Sequence, residues 1–348
     1  MTLKERIKAG QEGKYTGLSN GLGGINSHIY NVQRGYFTLI GGQSGSAKTA
    51  LLDFILMNAL EDAAKQNIKL DVFYYSYEIN KDTKKLNWLS IHIYKKYQVE
   101  IGAPKIAGLG GLVMTDAEQA LVDAEIDYIE ELFDRIHFRF DPTNPTGIYH
   151  ELIEHAKKNG KFIHEAYVNE VGETKQRITG YTPNDAESYT IAAIDHIALA
   201  KKERNYDLKQ NIDKLSEYFI FIRNICKYTF YALQQFNSSL SSMDRLKLKG
   251  MDISPQQSDF KDSTNIYTDA DLVLGLMNPW KMDFKVFMGH DLNLIRDKYR
   301  LIKLIKSRVG RDNQAFSYVF NGGTGTFKML PKAEEIDDLF GGYDEYLK

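Results

Sequence analysis

The sequence predicts an α/β protein with a mostly parallel, twisted sheet that is flanked by helices and followed by C-terminal antiparallel strands. Two observations predict it. Short apolar runs alternate along the chain with helical segments, which is the order of a parallel sheet covered on both faces. The first apolar run, residues 37–40, leads through a glycine- and serine-rich bend into a helix, which is the order of a phosphate-binding loop.

The bend after the first strand has the spacing G-x-x-x-x-G-K-T, with Ala47 in place of the last glycine. Its small residues let successive backbone N–H groups point at a phosphate, and the helix N-terminus adds partial positive charge. Lys48 would reach the β- and γ-phosphates, and the Thr49 hydroxyl would ligate Mg²⁺. Because alanine can hold a helical φ, we expect the loop to form. The predicted nucleotide-binding residues are Gly42, Gln43, Ser44, Gly45, Ser46, Ala47, Lys48 and Thr49.

Three later apolar runs each end on a polar side chain, namely Glu78, Asp195 and Gln235. Ligands of a parallel sheet bind beyond the carboxyl ends of its strands, so these side chains are predicted to lie beside the P-loop. Asp195 would hold Mg²⁺ opposite Thr49, and Glu78 would orient the attacking water.

Taken in order, the chain divides into an N-terminal arm or linker (1–34), one large domain (35–330) and an acidic tail (331–348). The polar stretch 161–187 contains turn signals and predicts a β-hairpin insertion. Residues 299–306 and 315–329 look like a terminal antiparallel pair, turned at Asn321-Gly322-Gly323. Apolar spacing predicts helices near residues 48–65, 81–97, 116–135, 147–158 and 211–228.

The composition limits the class of protein. A hydrophobic content of 43% is ordinary for a globular protein, and a net charge of −2 provides no global basic field. Any nucleic-acid contact must therefore come from a local surface. The single cysteine, Cys226, excludes an internal disulfide and suits a reducing compartment. No apolar run approaches membrane-spanning length, so we expect a cytoplasmic protein without a membrane partner.

A series of motifs in this order resembles the ATPase domain of DnaB-type replicative helicases, in the RecA-like group. The resemblance covers about residues 35–330 and departs from the family pattern at Ala47, Gln234 and Thr264. After the P-loop, the matching motifs are Ser76-Tyr77-Glu78, Ile194-Asp195-His196-Ile197, Gln234-Gln235-Phe236-Asn237, Ser258-Asp259-Phe260-Lys261-Asp262-Ser263-Thr264 and Lys306-Ser307-Arg308.

The resemblance implies a RecA-like P-loop NTPase that binds ATP and Mg²⁺ and hydrolyses ATP at subunit interfaces. Glu78 and Lys48 would act in catalysis, and Gln235 would sense the γ-phosphate. Lys306 and Arg308 would reach the γ-phosphate held by a neighbouring subunit. The implied DNA-binding residues are Lys261, Asp262 and Thr264.

The implied function is a ring-forming, hexameric replicative DNA helicase that translocates on single-stranded DNA. Its implied partners are single-stranded DNA, further copies of the chain, and replisome proteins such as a primase, a loader or a polymerase. Fewer than forty residues precede the first core strand, so the family's N-terminal helical domain is expected to be absent. A phage or mobile-element origin follows from the resemblance and the size, with a location in the bacterial cytosol or a phage-infected host cell.

Other interpretations stay open. A RecA/KaiC-like recombination or regulatory ATPase would bind DNA or protein without unwinding, and an assembly module would bind nucleotide without turnover. Lys306 and Arg308 also fit the polar face of an edge strand. The acidic tail fits a docking segment, a DNA mimic or a disordered end. Weaker DNA candidates, by charge alone, are Lys201, Lys202, Arg204, Arg245, Lys247 and Lys249.

Overall fold

The structure is a computed structural model that describes residues 2–237, 240, 242, 245, 253–260, 264–336 and 342–347. The strands in these ranges are β1 Phe37–Gly42, β2 Leu70–Ser76, β3 Ile136–Arg139, β4 Gly160–Val168, β5 Thr174–Pro183, β6 Tyr189–Asp195, β7 Thr229–Gln235, β8 Leu272–Met277, β9 Val286–Phe287, β10 His290–Asp291, β11 Tyr299–Ser307, β12 Gln314–Asn321 and β13 Thr326–Met329. The helices are α1 Leu3–Gln11, α2 Asn26–Ile29, α3 Lys48–Lys65, α4 Lys81–Tyr97, α5 Ala103–Ile106, α6 Asp116–Asp134, α7 Pro145–Asn159, α8 Leu208–Cys226, α9 Thr264–Asp269, α10 Leu292–Ile295 and α11 Asp344–Leu347.

The main sheet has nine strands within the described ranges, in the order β13-β12-β11-β8-β1-β7-β6-β2-β3. The six strands from β8 to β3 are parallel to one another. The other three, β11, β12 and β13, continue the sheet as antiparallel strands. This arrangement confirms the predicted fold class.

Both faces of the parallel part are covered, because successive apolar side chains point to opposite faces of a strand. Ile40 packs in a core with α3, α4 and α6, whereas its neighbour Leu39 packs in a second core with α7 and α8. A third cluster lies around β11 and the chain before it, where Tyr299 and Leu301 are buried. The uniform apolar runs of the sequence therefore correspond to strands buried on both sides.

Side-chain caps fix where several helices begin. The Asn80 side chain accepts a hydrogen bond from the Thr83 N–H at the start of α4. Thr115 and Glu118 form a capping box at the start of α6. Because the cap of α4 closely follows Glu78, it also sets the position of the loop that carries this residue.

The N-terminal segment packs on the large domain rather than lying apart from it. Its apolar side chains are buried in the core that contains α3, and the Ser19 N–H donates to Asp62 of α3 at 2.8 Å. The buried members are Leu18, Leu22, Ile25, Ile29 and Val32. Their spacing of four, three, four and three residues is helical, but four glycines interrupt the first half of this stretch, which is why the sequence indicated only an arm.

The C-terminal region is antiparallel and turns after Asn321, as predicted, but it contains one strand more than the predicted pair. Residues 315–329 contain two strands, β12 and β13, because the chain turns through residues 322–325 and pairs back on itself. Residues 342–347 then pack on this end of the sheet, where Lys328 Nζ donates to the Glu345 carbonyl at 2.8 Å. Residues 337–341 of the acidic tail lie outside the described residues.

The polar stretch after α7 forms an antiparallel two-stranded sheet of β4 and β5. The base of this hairpin packs on the helical layer, where the Tyr181 hydroxyl donates to the Ala156 carbonyl at 2.9 Å. Cys226 is buried nearby, and burial raises the pKa of its thiol to about 12. Across the described ranges, every helix is too short or too polar to cross a bilayer.

A buried ionic network joins the helices α3, α4 and α6. His92 of α4 lies between two carboxylates, with Nε2 2.7 Å from Glu125 Oε2 and Nδ1 3.4 Å from Glu61 Oε1. Lys96 Nζ and the Tyr97 hydroxyl also donate to Glu125. Burial alone would raise the pKa of Glu125, but these hydrogen bonds hold it at about 2.

We predict that Glu125→Gln destabilises the fold by about 1–3 kcal/mol at neutral pH, because it leaves buried donors without a charged acceptor. The pKa of Glu125 is lower in the folded protein than in the unfolded chain. Its contribution to the free energy of unfolding is therefore fully present above the unfolded-state pKa of about 4.5 and is lost as the pH falls toward 2. The variant should therefore lose less stability than the wild type between about pH 4.5 and 2. Urea unfolding across this pH range measures both effects.

Glu130→Gln is the matched control for this prediction. Glu130 lies on the same helix, but its side chain is half-exposed and pairs with Lys85 at the surface. Such a pair contributes about 0–1 kcal/mol. Equal losses of stability in the two variants would contradict the role given to Glu125.

Candidate active site

The P-loop connects β1 to α3 at the carboxyl edge of the parallel strands. Lys48 folds back over the loop, and its Nζ donates to the carbonyls of Gly42 and Gln43 at 3.0 Å each. Burial lowers the pKa of Lys48, and the charges of Asp195 and Glu78 act in the opposite direction. The lysine is thus a cation held over the loop by two backbone carbonyls, and it could exchange these carbonyls for phosphate oxygens.

Thr49 and Asp195 meet directly, although 146 positions separate them in the chain. Thr49 Oγ1 donates to Asp195 Oδ2 at 2.7 Å, and Asp195 is 1% exposed. Burial raises the pKa of Asp195, whereas the Lys84 charge and the Thr49 hydrogen bond lower it. Mg²⁺ prefers oxygen ligands and is commonly held by one or two protein oxygens together with water and substrate phosphates. The hydroxyl and carboxylate of this pair fit that donor set.

Glu78 and Gln235 lie at the same edge. Strand register places Ser76 opposite Asp195 and Gly42 opposite Gln235. Gln235 ends β7, which adjoins the P-loop strand, and Glu78 follows β2, which adjoins the strand that ends at Asp195. Glu78 is 45% exposed, and its Oε1 lies 3.2 Å from His196 Nε2. An exposed carboxylate that is oriented by a neighbouring ring is free to accept a hydrogen bond from water.

A buried ion pair beneath the P-loop helix was not predicted from the sequence. Lys84 of α4 is fully buried, and its Nζ lies 2.8 and 2.9 Å from the two carboxylate oxygens of Asp53 in α3. The Tyr74 hydroxyl of β2 donates to the same carboxylate at 2.8 Å. The contacts join α3, α4 and β2, and Asp53 lies one helical turn after Thr49. No spacing rule marks a buried lysine in a helix, so no signal in the sequence could have found it.

Lys306 and Arg308 lie at the opposite edge of the sheet. β11 runs antiparallel to β8, and Lys306 is level with Val273, near the amino end of the parallel strands. Arg308 is 44% exposed; its Nη2 donates to the Thr268 carbonyl at 2.7 Å and its Nη1 lies 3.4 Å from Asp271 Oδ1. Lys306 Nζ donates to the Thr268 carbonyl at 2.6 Å. Burial and the charge of Arg308 lower the pKa of Lys306.

The DNA-contact candidates divide into three groups. Lys261 and Asp262 lie outside the described residues, as do Lys247 and Lys249, and Thr264 begins α9. The exposed candidates, Lys201, Lys202 and Arg204, follow β6 on the carboxyl edge. Arg245 instead belongs to the interior, because it pairs with the buried Asp259 at 3.2 Å and donates to the Ser254 carbonyl at 2.7 Å. The prediction that Arg245 offers a surface charge was wrong.

The conformation of Ala47 also differs from the prediction. Its φ of +78° and ψ of 31° are left-handed, whereas the sequence argument assumed a helical φ. The loop still forms, and Gly45, two residues earlier, has a φ of +71°. Left-handed backbone costs a residue with a Cβ roughly 1–2 kcal/mol. Ala47 therefore holds strain that glycine, the usual residue at this position, would not.

A cavity of about 510 Å³ lies beside the P-loop. Two cationic side chains that no sequence motif includes line it, Lys281 and Arg300. Arg300 of β11 is buried beside Ser46, and the Lys281 ammonium approaches Gly45. Ala47, Thr49 and Phe320 also line the cavity. The arrangement joins an anion-binding loop to a space next to it, as a nucleotide requires.

The sheet order, the P-loop and the acid at the end of β6 define a P-loop protein of the RecA-like fold. Among solved structures, the chain is similar to one described as an ATPase domain, with a TM-score of 0.67 and 17% identity, covering 95% of this chain and 99% of that one. It is also similar to a DnaB-like replicative helicase whose structure was reported with its interactions with primase, with a TM-score of 0.66 and 15% identity, covering 95% of this chain and 69% of that one. No protein-family model matches the chain, and no curated protein sequence does. These similarities confirm the predicted fold, which is that of a DnaB-type ATPase domain.

Ala47→Gly is predicted to stabilise the protein by about 0–1.5 kcal/mol. The substitution removes roughly 1–2 kcal/mol of left-handed strain from the folded state. Against this, glycine loses more backbone entropy than alanine on folding, which costs about 0.5–1 kcal/mol. Thermal or urea unfolding without nucleotide measures the change.

Ala50→Gly provides a control of opposite sign, three residues further along in α3. There the backbone is helical, and glycine should cost about 1 kcal/mol. If both variants lose stability equally, the strain assigned to Ala47 is not present.

Proposed function

We propose that the chain is an ATP-dependent, ring-forming replicative DNA helicase, in which each ATP is hydrolysed between two subunits. The observation that carries this proposal is the separation of two sets of residues within one chain. Lys48, Thr49 and Asp195 gather at one edge of the sheet, whereas Lys306 and Arg308 are presented at the other. From Phe37 to Gly42, β1 rises over five residue steps, or about 17 Å, between the two edges of the sheet. Arg308 is therefore out of reach of the P-loop of its own subunit.

In this proposal, the P-loop amides and Lys48 hold the triphosphate, and Thr49 and Asp195 hold Mg²⁺. Bound Mg²⁺ would neutralise charge on the phosphates. Glu78 accepts a hydrogen bond from the attacking water, with His196 fixing its orientation. An arginine supplied in trans is worth roughly 10³–10⁵ in rate, which is the contribution assigned to Arg308.

Single-stranded DNA is the proposed track, contacted by the loops that follow β6 and β7 at the carboxyl edge. The exposed cations Lys201, Lys202 and Arg204 support this assignment, because a basic channel tracks phosphates with little sequence preference. Lys261, Asp262 and Thr264 remain proposals from the motif. Gln235, at the start of the loop after β7, would report the γ-phosphate to it. A hexamer, replisome partners and a location in the cytoplasm of a bacterium or an infected host are part of the same proposal.

We predict that Arg308→Ala lowers ATP turnover by about 10³-fold or more while leaving nucleotide affinity within a few-fold of the wild type. A sharper form mixes this variant with Lys48→Ala. Each variant alone lacks one half of every site, but a mixed ring contains interfaces with an intact P-loop on one side and an intact Arg308 on the other. In an equal mixture about one quarter of the interfaces are complete, so turnover should partly return.

Arg311→Ala is the matched control, because Arg311 is exposed and lies three residues further along. It should turn over ATP normally. Turnover in Arg308→Ala equal to that of the control would remove the composite site. Absence of recovery in the mixture, with rings present, would show that Arg308 acts within its own subunit.

Displacement of a strand from a forked duplex tests the helicase itself. The wild type with ATP should separate the strands, and Glu78→Gln should bind ATP and DNA but displace no strand. Asp82→Asn, an exposed acid in the first turn of α4, is the control and should remain active. DNA-stimulated turnover without strand displacement would favour a recombination or regulatory ATPase. Normal assembly with no turnover in the wild type would favour an assembly module.

A further inference from the structure

Arg300 lies beneath the P-loop, at a position that the nucleotide-binding motifs do not include. It is 2% exposed, and its Nε donates to the Ser46 carbonyl at 3.2 Å. Nη1 donates to the carbonyls of Tyr299, at 2.8 Å, and Asp297. Burial lowers the pKa of Arg300 to about 10, so the guanidinium is charged at neutral pH. A full positive charge is therefore held against the backbone of the loop.

The carbonyl that Arg300 contacts belongs to the peptide between Ser46 and Ala47. In a planar trans peptide, the C=O of one residue and the N–H of the next point in opposite directions. Because Arg300 holds the Ser46 carbonyl toward β11, the Ala47 N–H points away from β11. Inward-pointing N–H groups of a P-loop are the donors that surround a phosphate.

This peptide needs an anchor, because left-handed residues flank Ser46 on both sides. Gly45 has a φ of +71° and Ala47 a φ of +78°, which alanine adopts only at a cost. The Ser46 side chain supplies no anchor, since its buried Oγ has no hydrogen-bond partner among the described residues. The Ser46 N–H donates to the Gln43 carbonyl inside the loop itself, at 3.2 Å. Arg300 is the contact that ties this peptide to the sheet.

We propose that Arg300 is a positioning residue for the nucleotide, which orients the Ser46–Ala47 peptide so that the Ala47 N–H meets a phosphate. The inference rests on the proposed nucleotide binding. Arg300 also lines the cavity of about 510 Å³ beside the loop. In this proposal it acts on the peptide, whereas Lys48 contacts the phosphates.

Arg300→Met tests the proposal, because methionine keeps the apolar stem and removes the donor and the charge. We expect the affinity for ATP and for ADP to fall about tenfold, or about 1.4 kcal/mol. The factor should be the same for both nucleotides and with or without Mg²⁺, because the peptide faces a phosphate that both share. Titration with a fluorescent ATP analogue, and its competition by ADP, measures these affinities without turnover.

Lys303→Met is the matched control. Lys303 is a buried cation on the same strand, but it points to the opposite face and its Nζ donates to Ser254 Oγ at 2.9 Å. Its loss should lower stability without changing ADP affinity. If Arg300→Met melts like this control but binds both nucleotides like the wild type, the proposal is overturned.

A second variant decides the case in which Arg300→Met does not fold. Arg300→Lys keeps the charge but replaces the planar fork that spans the Ser46, Tyr299 and Asp297 carbonyls with one ammonium nitrogen, so it should still weaken ADP binding. Wild-type affinity in Arg300→Lys would then overturn the proposal. A wild-type chain that binds neither nucleotide would instead refute the proposed function, so the two failures are distinguishable.

Discussion

The parallel hydrogen-bond ladder is the constraint on which the candidate site depends. Because β1, β7, β6 and β2 run in one direction, their carboxyl ends meet at one edge, and Gly42 lies opposite Gln235 and Ser76 opposite Asp195. A shift of one residue would turn each side chain to the other face of the sheet. Burial on both faces fixes the register, since a shifted strand would exchange the side chains of two separate cores. The position of the site thus follows from the packing of residues that have no chemistry of their own.

The register alone does not hold the P-loop helix in place. Asp53, Lys84 and Tyr74 join α3, α4 and β2 beneath the loop, and Thr49 is hydrogen-bonded to Asp195 above it. A buried ion pair of this kind is a weak source of stability, because desolvation offsets much of its attraction. The two side chains must nevertheless stay in contact, since displacing one of them would leave the other as an unpaired buried charge. These contacts therefore specify where α3 begins more than they strengthen the fold.

The sequence was sufficient to predict the sheet, most helices and the clustering of Glu78, Asp195 and Gln235, because those features follow from local patterns and from the geometry of parallel sheets. It failed where the answer depends on contacts between distant residues. Ala47 adopts a left-handed φ because the loop around it requires one, and intrinsic preference pointed elsewhere. Arg245 looked like a surface charge, but Asp259 draws it inward. Arg300 lies in an apolar strand pattern, and that anomaly was the one available signal of a buried function.

β11 gives these observations a common element. Arg300, near one end, contacts the P-loop of its own subunit, and Arg308, just beyond the other end, is presented at the opposite edge of the sheet. The strand pairs with β12 over residues 299–304 and with β8 over residues 301–307, with a register shift between Leu304 and Lys306. In a ring with composite sites, one strand would then contact its own nucleotide site at one end and complete the neighbour's site at the other.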